Sequence, residues 1–398
     1  MKNNNEIKNL LKNKNNQINL IANNNTFFKD NKVLNQIRNS SFEILRIILM
    51  FLIILSHIKY HTKSLPNLTS NNYHKLINNK YILLRIISNY GKFGDIVFIM
   101  ISGYFSLKRI NFHYIKFIII ASETYTYHYF FLYVSNKLKY IYKDVKPLTE
   151  NKISQYFPLI SSSGHWFTQH YLLILIFMPY INTGLLNLTY KQYKLLVILI
   201  IIFYCIIKTF INIIHITSKI FSVTQFLKLL IPYIIGGYIR MYDFKDKYFW
   251  KISGLLFFIL TIIFEIIFDN LAIQFNNYNW IIIQSELSLQ LYSIFPILSS
   301  IGIISLFKNI KIYSKTINFI SSSVLGIYLI HANKYIAPYI YNAFFKINHY
   351  TENYFFIKYF LKAIIIFILS FLIDMIRRYT IGLFIEKLLK IMIKNSKQ

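Results

Sequence analysis

Glu43, Arg46 and His57 interrupt the run SFEILRIILMFLIILSHIKYH, from Ser41 to His61, which is otherwise built mainly of Ile, Leu, Phe and Met. A charged group at the centre of a membrane helix costs at least about 2–3 kcal/mol, so such residues usually have a task. Ten residues separate Arg46 from His57. At about 100° per residue a step of eleven returns to nearly the same helix face, displaced about 16 Å along the axis. Glu43 lies one turn before Arg46, at a spacing that allows an ion pair. His61 lies one turn beyond His57. One face of one helix thus carries an acid, a guanidinium and an imidazole in a line. A neutral imidazole can take the proton of a hydroxyl near neutral pH. A guanidinium can hold a phosphate or a polarised carbonyl. Together they suit group transfer to a hydroxyl, with a base at one end and an anion clamp at the other.

Other polar residues stand in or beside apolar runs: Asp95 after Gly94, the His165–Trp166 pair, and Tyr328 and His331 in SSSVLGIYLIH. Each has a plainer reading. A lone intramembrane His is more often a satisfied polar contact than a catalyst, and Arg46 could be a snorkelling anchor. Asp95 could cap its helix, and His165 with Trp166 could be an interfacial aromatic anchor. Ser102–Gly103 reads as close helix packing in preference to a nucleophile, and Gly236–Gly237 with Pro232 as helix packing or a kink. Glu123 is costly enough to require a partner, which the sequence does not name. No HExxH, CxxC or glycine-rich phosphate loop occurs, so no metal site is expected.

Four stretches, in order, resemble the acyltransferase-3 family of multipass membrane O-acyltransferases. They are the Arg46-x10-His57 helix, FGDIVFIMISGYF at Phe93–Phe105, GHWFTQHYLLILIFMPY at Gly164–Tyr180, and SSSVLGIYLIH at Ser321–His331. The likeness runs from about Ser41 to about Arg378. Two features depart from the family pattern. Glu43 stands where Asp is common, and LKRINFHYIKF lacks the proline of a basic-Arg-Ile-x-Pro stretch. The resemblance implies transfer of an acyl group, acetyl being commonest, from acyl-CoA to a hydroxyl of a cell-envelope glycan such as lipopolysaccharide or another polysaccharide. His57 would be the general base and Arg46 the holder of the acyl-CoA phosphate or carbonyl, with Glu43 orienting it. Asp95 would orient His57 or the acceptor, and His165, Trp166, Tyr328 and His331 are candidate substrate contacts. Acetyl-CoA enters as a donor substrate, and no tightly bound cofactor is expected.

These residues need a scaffold of membrane helices. The chain has 398 residues, of which 55% are hydrophobic and 15% charged, with mean hydropathy +0.42. Repeated apolar runs of about 20 residues predict an all-α polytopic bundle. The expected spans number about ten: 43–60, 90–107, 113–134, 166–187, 193–214, 221–240, 250–268, 286–307, 318–341 and 355–376. Residues 1–40, rich in Asn and Lys, read as a flexible basic cytosolic leader and not a cleavable signal peptide. Residues 41–378 form the transmembrane domain, and 379–398 a basic amphipathic cytosolic tail on the inner surface. Basic loops place both termini in the cytoplasm of a cell-membrane protein. The net charge of +29 is scattered among apolar spans. It fits contact with anionic membrane lipids, and no nucleic acid is expected as a partner. Cys205, the single cysteine, can form no internal disulfide and reads as packing. A transporter or flippase of a lipid-linked sugar or acylated glycan is the competing reading. It would favour inverted repeats with broken helices, and none is evident. A polysaccharide polymerase would call for a larger external loop.

Overall fold

The expected apolar run at 43–60 is helix α1, Ser41–His61, and the rest of the bundle is arranged around it. In a bilayer the backbone must satisfy its own polar groups, so an Ile/Leu-rich segment of this length becomes a helix despite its β-branched residues. Its start is tied to a distant segment: the Ser40 amide donates to the Ile312 carbonyl at 2.6 Å and the Ser314 amide to Ser40 Oγ at 2.9 Å. The computed structural model describes residues 39–62, 65, 67–143, 145, 156–159, 165–214, 224–242, 247–288, 290–344 and 349–395. The expected leader therefore lies, but for Asn39 and Ser40, outside the described residues.

The longer helices follow as α2 Asn79–Ser106, α3 Tyr114–Ile141, α4 Trp166–Leu186 and α5 Tyr190–Ile213, which contains a π turn at Ile201–Ile207. Next come α6 Gln225–Met241, α7 Lys247–Gln274, α8 Asn279–Ser288 and α9 Ile294–Phe307. The chain continues with α10 Lys315–Ser321, α11 Val324–His331, α12 Phe355–Arg377 and α13 Leu383–Asn395. No strand occurs among the described residues. The class is all-α, as the periodicity predicts. By length and composition, five described helices can cross a membrane: Ser41–His61, Trp166–Leu186, Tyr190–Ile213, Gly254–Gln274 and Phe355–Leu389.

Several expected boundaries shift. Helix α2 starts at Asn79, eleven residues before the expected 90, where the Asn78 side chain accepts from the Tyr81 amide at 2.9 Å. Lys80, Arg85, Asn89 and Lys92 make this first half look unlike a membrane run. Asp95, expected near a helix end, is instead deep within α2. The expected span 286–307 is divided between α8 and α9. The span 318–341 is broken after Ser321 and again after His331. At the second break Asn333 Oδ1 accepts from the Tyr335 amide at 3.0 Å, a turn that Asn side chains favour. The tail continues from α12 through a π turn, Arg378–Gly382, into α13.

Helix α1 packs on α2, α10, α11 and α12, and α2 in turn packs on α6, α7 and α9. Glycines set the closest approaches. Gly91 meets Ser56 and Gly94 meets Ile53, while Gly103 abuts the Tyr233 carbonyl and Gly236 the Met100 carbonyl. Small residues let helix backbones approach where apolar burial alone gives little net drive in lipid. Gly103 and Gly236 thus pack α2 against α6, as their sequence suggests, while Gly237 meets the Tyr193 hydroxyl of α5 and Ser102 Oγ donates to the Phe98 carbonyl of its own helix.

Candidate active site

His57 sits on α1 with its ring centroid 5.1 Å from that of His331, the last residue of α11. His331 is fully buried, and its Nδ1 lies 2.6 Å from the Ile327 carbonyl. Donation from Nδ1 leaves the lone pair of a neutral ring on Nε2. His331 Nε2 and His57 Nδ1 are both buried and have no hydrogen-bond partner. Buried polar atoms are usually satisfied, so two such nitrogens on neighbouring rings single this place out. Tyr328 stands 6.5 Å from His57, and His61 packs edge-on to it at 5.5 Å. The break at Asn333 ends α11 at His331, and this fixes its imidazole within the bundle.

The other end of the α1 line is formed as its spacing suggests. Arg46 Nη1 reaches both Glu43 oxygens, at 3.0 and 2.9 Å. Ser321 Oγ, at the end of α10, donates to Glu43 Oε2. Glu43 is thereby held from two helices and orients Arg46. The Arg46 side chain stays 24% exposed against 6% for Glu43, so the cation retains an open edge.

Asp95 lies between these ends. Gly91 opposes Ser56 and Gly94 opposes Ile53, and the same antiparallel offset puts Asp95 level with Leu52. That is roughly 8 Å along the axis from both Arg46 and His57. Asp95 makes no hydrogen bond to His57; its electrostatic neighbours are Lys92 and Tyr328. His165 does not reach His57 either. It is buried at the start of α4, and its Nε2 lies 3.3 Å from His128 Nδ1 on α3. Trp166 packs edge-on to Phe167 at 5.8 Å, and Phe167 meets Tyr328 at 5.5 Å. His165 and Trp166 thus border the Tyr328 side of the site without joining the imidazole pair.

Several buried polar residues around Glu123 and along α2 were not singled out from sequence. Glu123 finds its partner in Arg377, whose Nη2 is 3.0 Å from Glu123 Oε1 and 2.8 Å from Asp374 Oδ1. Tyr127 donates to Asp374 at 2.7 Å, and Arg378 Nη1 donates to Ser322 Oγ at 2.6 Å. A second lattice joins Arg85 on α2 to Asp269 and Gln284, with Glu265 close by. The signal was present: Asp374, Glu265 and Asp269 each interrupt an apolar run, as Glu43 does. His128 carried no signal beyond its presence in α3.

A family model described as an acyltransferase domain matches residues 39–375. No curated protein and no solved structure matches the chain.

Proposed function

Since the chain belongs to the acyltransferase-3 family and is a membrane acyltransferase, we propose that it moves an acyl group, acetyl in the simplest case, from acyl-CoA to a hydroxyl of a cell-envelope glycan. The observation that carries this reading is the neighbouring rings of His57 and His331, 5.1 Å apart, each with a buried nitrogen lacking a hydrogen-bond partner, on the helix whose other end holds the Glu43–Arg46 pair.

In this reading His57 takes the proton of the acceptor hydroxyl as its oxygen attacks the thioester carbonyl. The tetrahedral intermediate collapses with breakage of the carbon–sulfur bond. The thiolate leaves and recovers the proton from the imidazolium, giving an O-acyl ester and free CoA. Arg46, oriented by Glu43 and Ser321, holds a donor phosphate or carbonyl by charge-assisted hydrogen bonds. The pantetheine arm spans the roughly 16 Å between Arg46 and His57 along the helix. His331, Tyr328 and Asp95 contact the acceptor, while His165 and Trp166 border it. Basic-loop bias supports an orientation in the cytoplasmic membrane with both termini inside. The Arg46 end then faces the cytoplasm, where acyl-CoA is made, and His57 lies in the outer half.

The test is transfer of labelled acetyl from acetyl-CoA to envelope glycan in membranes holding matched amounts of wild type and His57→Gln. Transfer by the wild type and its loss in the variant support the reading. Near-wild-type turnover by His57→Gln removes His57 as base. A wild type that moves a lipid-linked sugar across vesicles, and transfers no acyl group from any CoA donor, is a transporter.

A further inference from the structure

Lys92 on α2, Lys208 on α5 and Lys228 on α6 are half-buried lysines that the proposed chemistry does not use. Among the described residues none of them has a hydrogen bond or an ion pair. The ring of Tyr292 lies under the Lys228 ammonium, with its centroid 5.7 Å away. Ionisable side chains within membrane helices usually pair with one another or with backbone carbonyls. Three ammonium groups left without such partners, on three helices, are groups that a ligand would satisfy.

Their grouping follows from the packing. Lys92 and Gly103 are a step of eleven apart, so they share the face of α2 that packs on α6. Lys228 on α6 is an electrostatic neighbour of Lys92, and Lys208 on α5 is one of Lys228. Glu286 on α8 is the carboxylate near both Lys92 and Lys228. Its Oε2 is nevertheless taken by Asn212 Nδ2 at 2.7 Å and Tyr292 Oη at 2.9 Å. The other carboxylate near Lys92 is Asp95. Three ammonium groups thus stand against two carboxylates, which leaves a positive excess. Lysine presents a compact point charge with three rotatable donors, and this suits the several oxygens of a phosphate. A carboxylate is matched better by the planar fork of arginine. Thr224 and Gln225, just before Lys228, are exposed, so the group is approached from the start of α6.

We infer that Lys92, Lys208 and Lys228 bind a phosphate group carried by a membrane lipid. On the acyltransferase reading, on which this identification of the source rests, it is the phosphate that joins the acceptor sugar to a carrier lipid. A phospholipid headgroup offers the same chemistry, and the experiment separates the two. The depth suits an acceptor. Gly91 opposes Ser56 and the two helices are antiparallel, so Lys92 is level with Leu55, about 3 Å along the axis from His57. Asp95 lies between the α6 face of α2, which carries Lys92, and the α1 face, which carries Gly94. A phosphate on the lysines and a hydroxyl at the imidazoles therefore lie on either side of Asp95. Binding energy from the phosphate would position the reacting hydroxyl.

The experiment uses the full chain in an uncharged detergent and three probes: a polyprenyl phosphate, the corresponding uncharged polyprenol, and phosphatidylglycerol. Calorimetry should show wild type binding the polyprenyl phosphate more tightly than the alcohol. Lys228→Met keeps the apolar stem and removes the ammonium. It should weaken phosphate binding by about tenfold or more, the scale of one lost charge-assisted hydrogen bond, and leave the alcohol unaffected. Lys92→Met provides the same test if Lys228→Met does not fold. Preference for the polyprenyl phosphate over phosphatidylglycerol supports the carrier lipid as the source, and the opposite preference assigns the site to the phospholipid. The inference is overturned if wild type binds phosphate and alcohol alike, or if the folded variants bind the phosphate as wild type does. Lysine-dependent phosphate binding by a protein that transfers no acyl group keeps the site and removes the transferase reading. Acyl transfer without any preference for the phosphate does the reverse.

Discussion

His57 and His331 come from helices separated by more than two hundred residues, yet their rings lie 5.1 Å apart, each presenting a buried nitrogen with no hydrogen-bond partner. A hydroxyl placed between them can donate its proton to one ring. This geometry separates the pair from His128 and His165, which face each other at 3.3 Å.

Replacing His57 by Ala or Gln should lower acyl transfer by about 10²–10⁴-fold, the usual worth of a positioned general base. Gln keeps a hydrogen-bonding shape but accepts no proton usefully. His61→Ala should be much milder, since His61 is exposed and stacks on Tyr341 at 5.5 Å. Labelled acetyl transfer in membranes with matched protein amounts reads all three. Equal losses at His57 and His61 would assign the effect to helix packing.

Arg46→Ala should weaken acyl-CoA binding while leaving the protein inserted. Lysine should rescue in part, because it keeps the charge and loses the planar fork. Glu43→Gln should fall between, since Ser321 can still hold the amide but the charge that orients Arg46 is gone. Calorimetry with a non-hydrolysable acetyl-CoA analogue provides the check. Unchanged affinity in Arg46→Ala would make Arg46 an anchor.

The line on α1 was legible because its parts belong to one helix: an apolar run fixes the helix, and a spacing of eleven fixes the face. The Glu43–Arg46 pair needs nothing beyond that spacing. The start of α2 was not legible. Arg85 reads as an end to a membrane run, and the Asp269 and Gln284 that make it tolerable lie 184 and 199 residues away. No local rule pairs groups so far apart. The break at Asn333 was hidden for a related reason: mostly apolar residues precede and follow it, from Val324 to Ile330 and from Tyr335 to Ile340, so periodicity reads straight through. Gly103 and Gly236 could be read as packing from residue size alone, and the structure adds which backbone they meet.

Arg377→Ala should destabilise the folded protein strongly, whether or not it alters transfer. It would leave Glu123 and Asp374 buried without their cation, a change that typically costs about 3–5 kcal/mol. Glu123→Gln should be milder, because Arg377 keeps Asp374 at 2.8 Å and no uncompensated charge remains. Thermal unfolding in detergent, followed by circular dichroism, should rank Arg377→Ala well below Glu123→Gln. The reverse order would mean that the lattice is not what holds α3 to α12.

The contact between α2 and α6 makes a matched prediction about glycine. A Cβ on Gly103 would strike the Tyr233 carbonyl, and one on Gly236 would strike the Met100 carbonyl. Both obstacles are backbone, so neither side chains nor rotamers can give way, and the helices must separate. Overpacking of this kind costs about 1–3 kcal/mol. Gly184, inside α4, is the control: a Cβ there meets nothing within 4 Å. Gly184→Ala should be neutral or stabilising by about 0.5–1 kcal/mol, because alanine loses less freedom in a helix. Gly103→Ala and Gly236→Ala should therefore lower the unfolding midpoint while Gly184→Ala leaves or raises it. Because α2 carries Asp95, the first two should also reduce acyl transfer beyond their effect on the amount of folded protein. Loss of stability with full specific activity would show that the α2–α6 spacing does not set the position of Asp95.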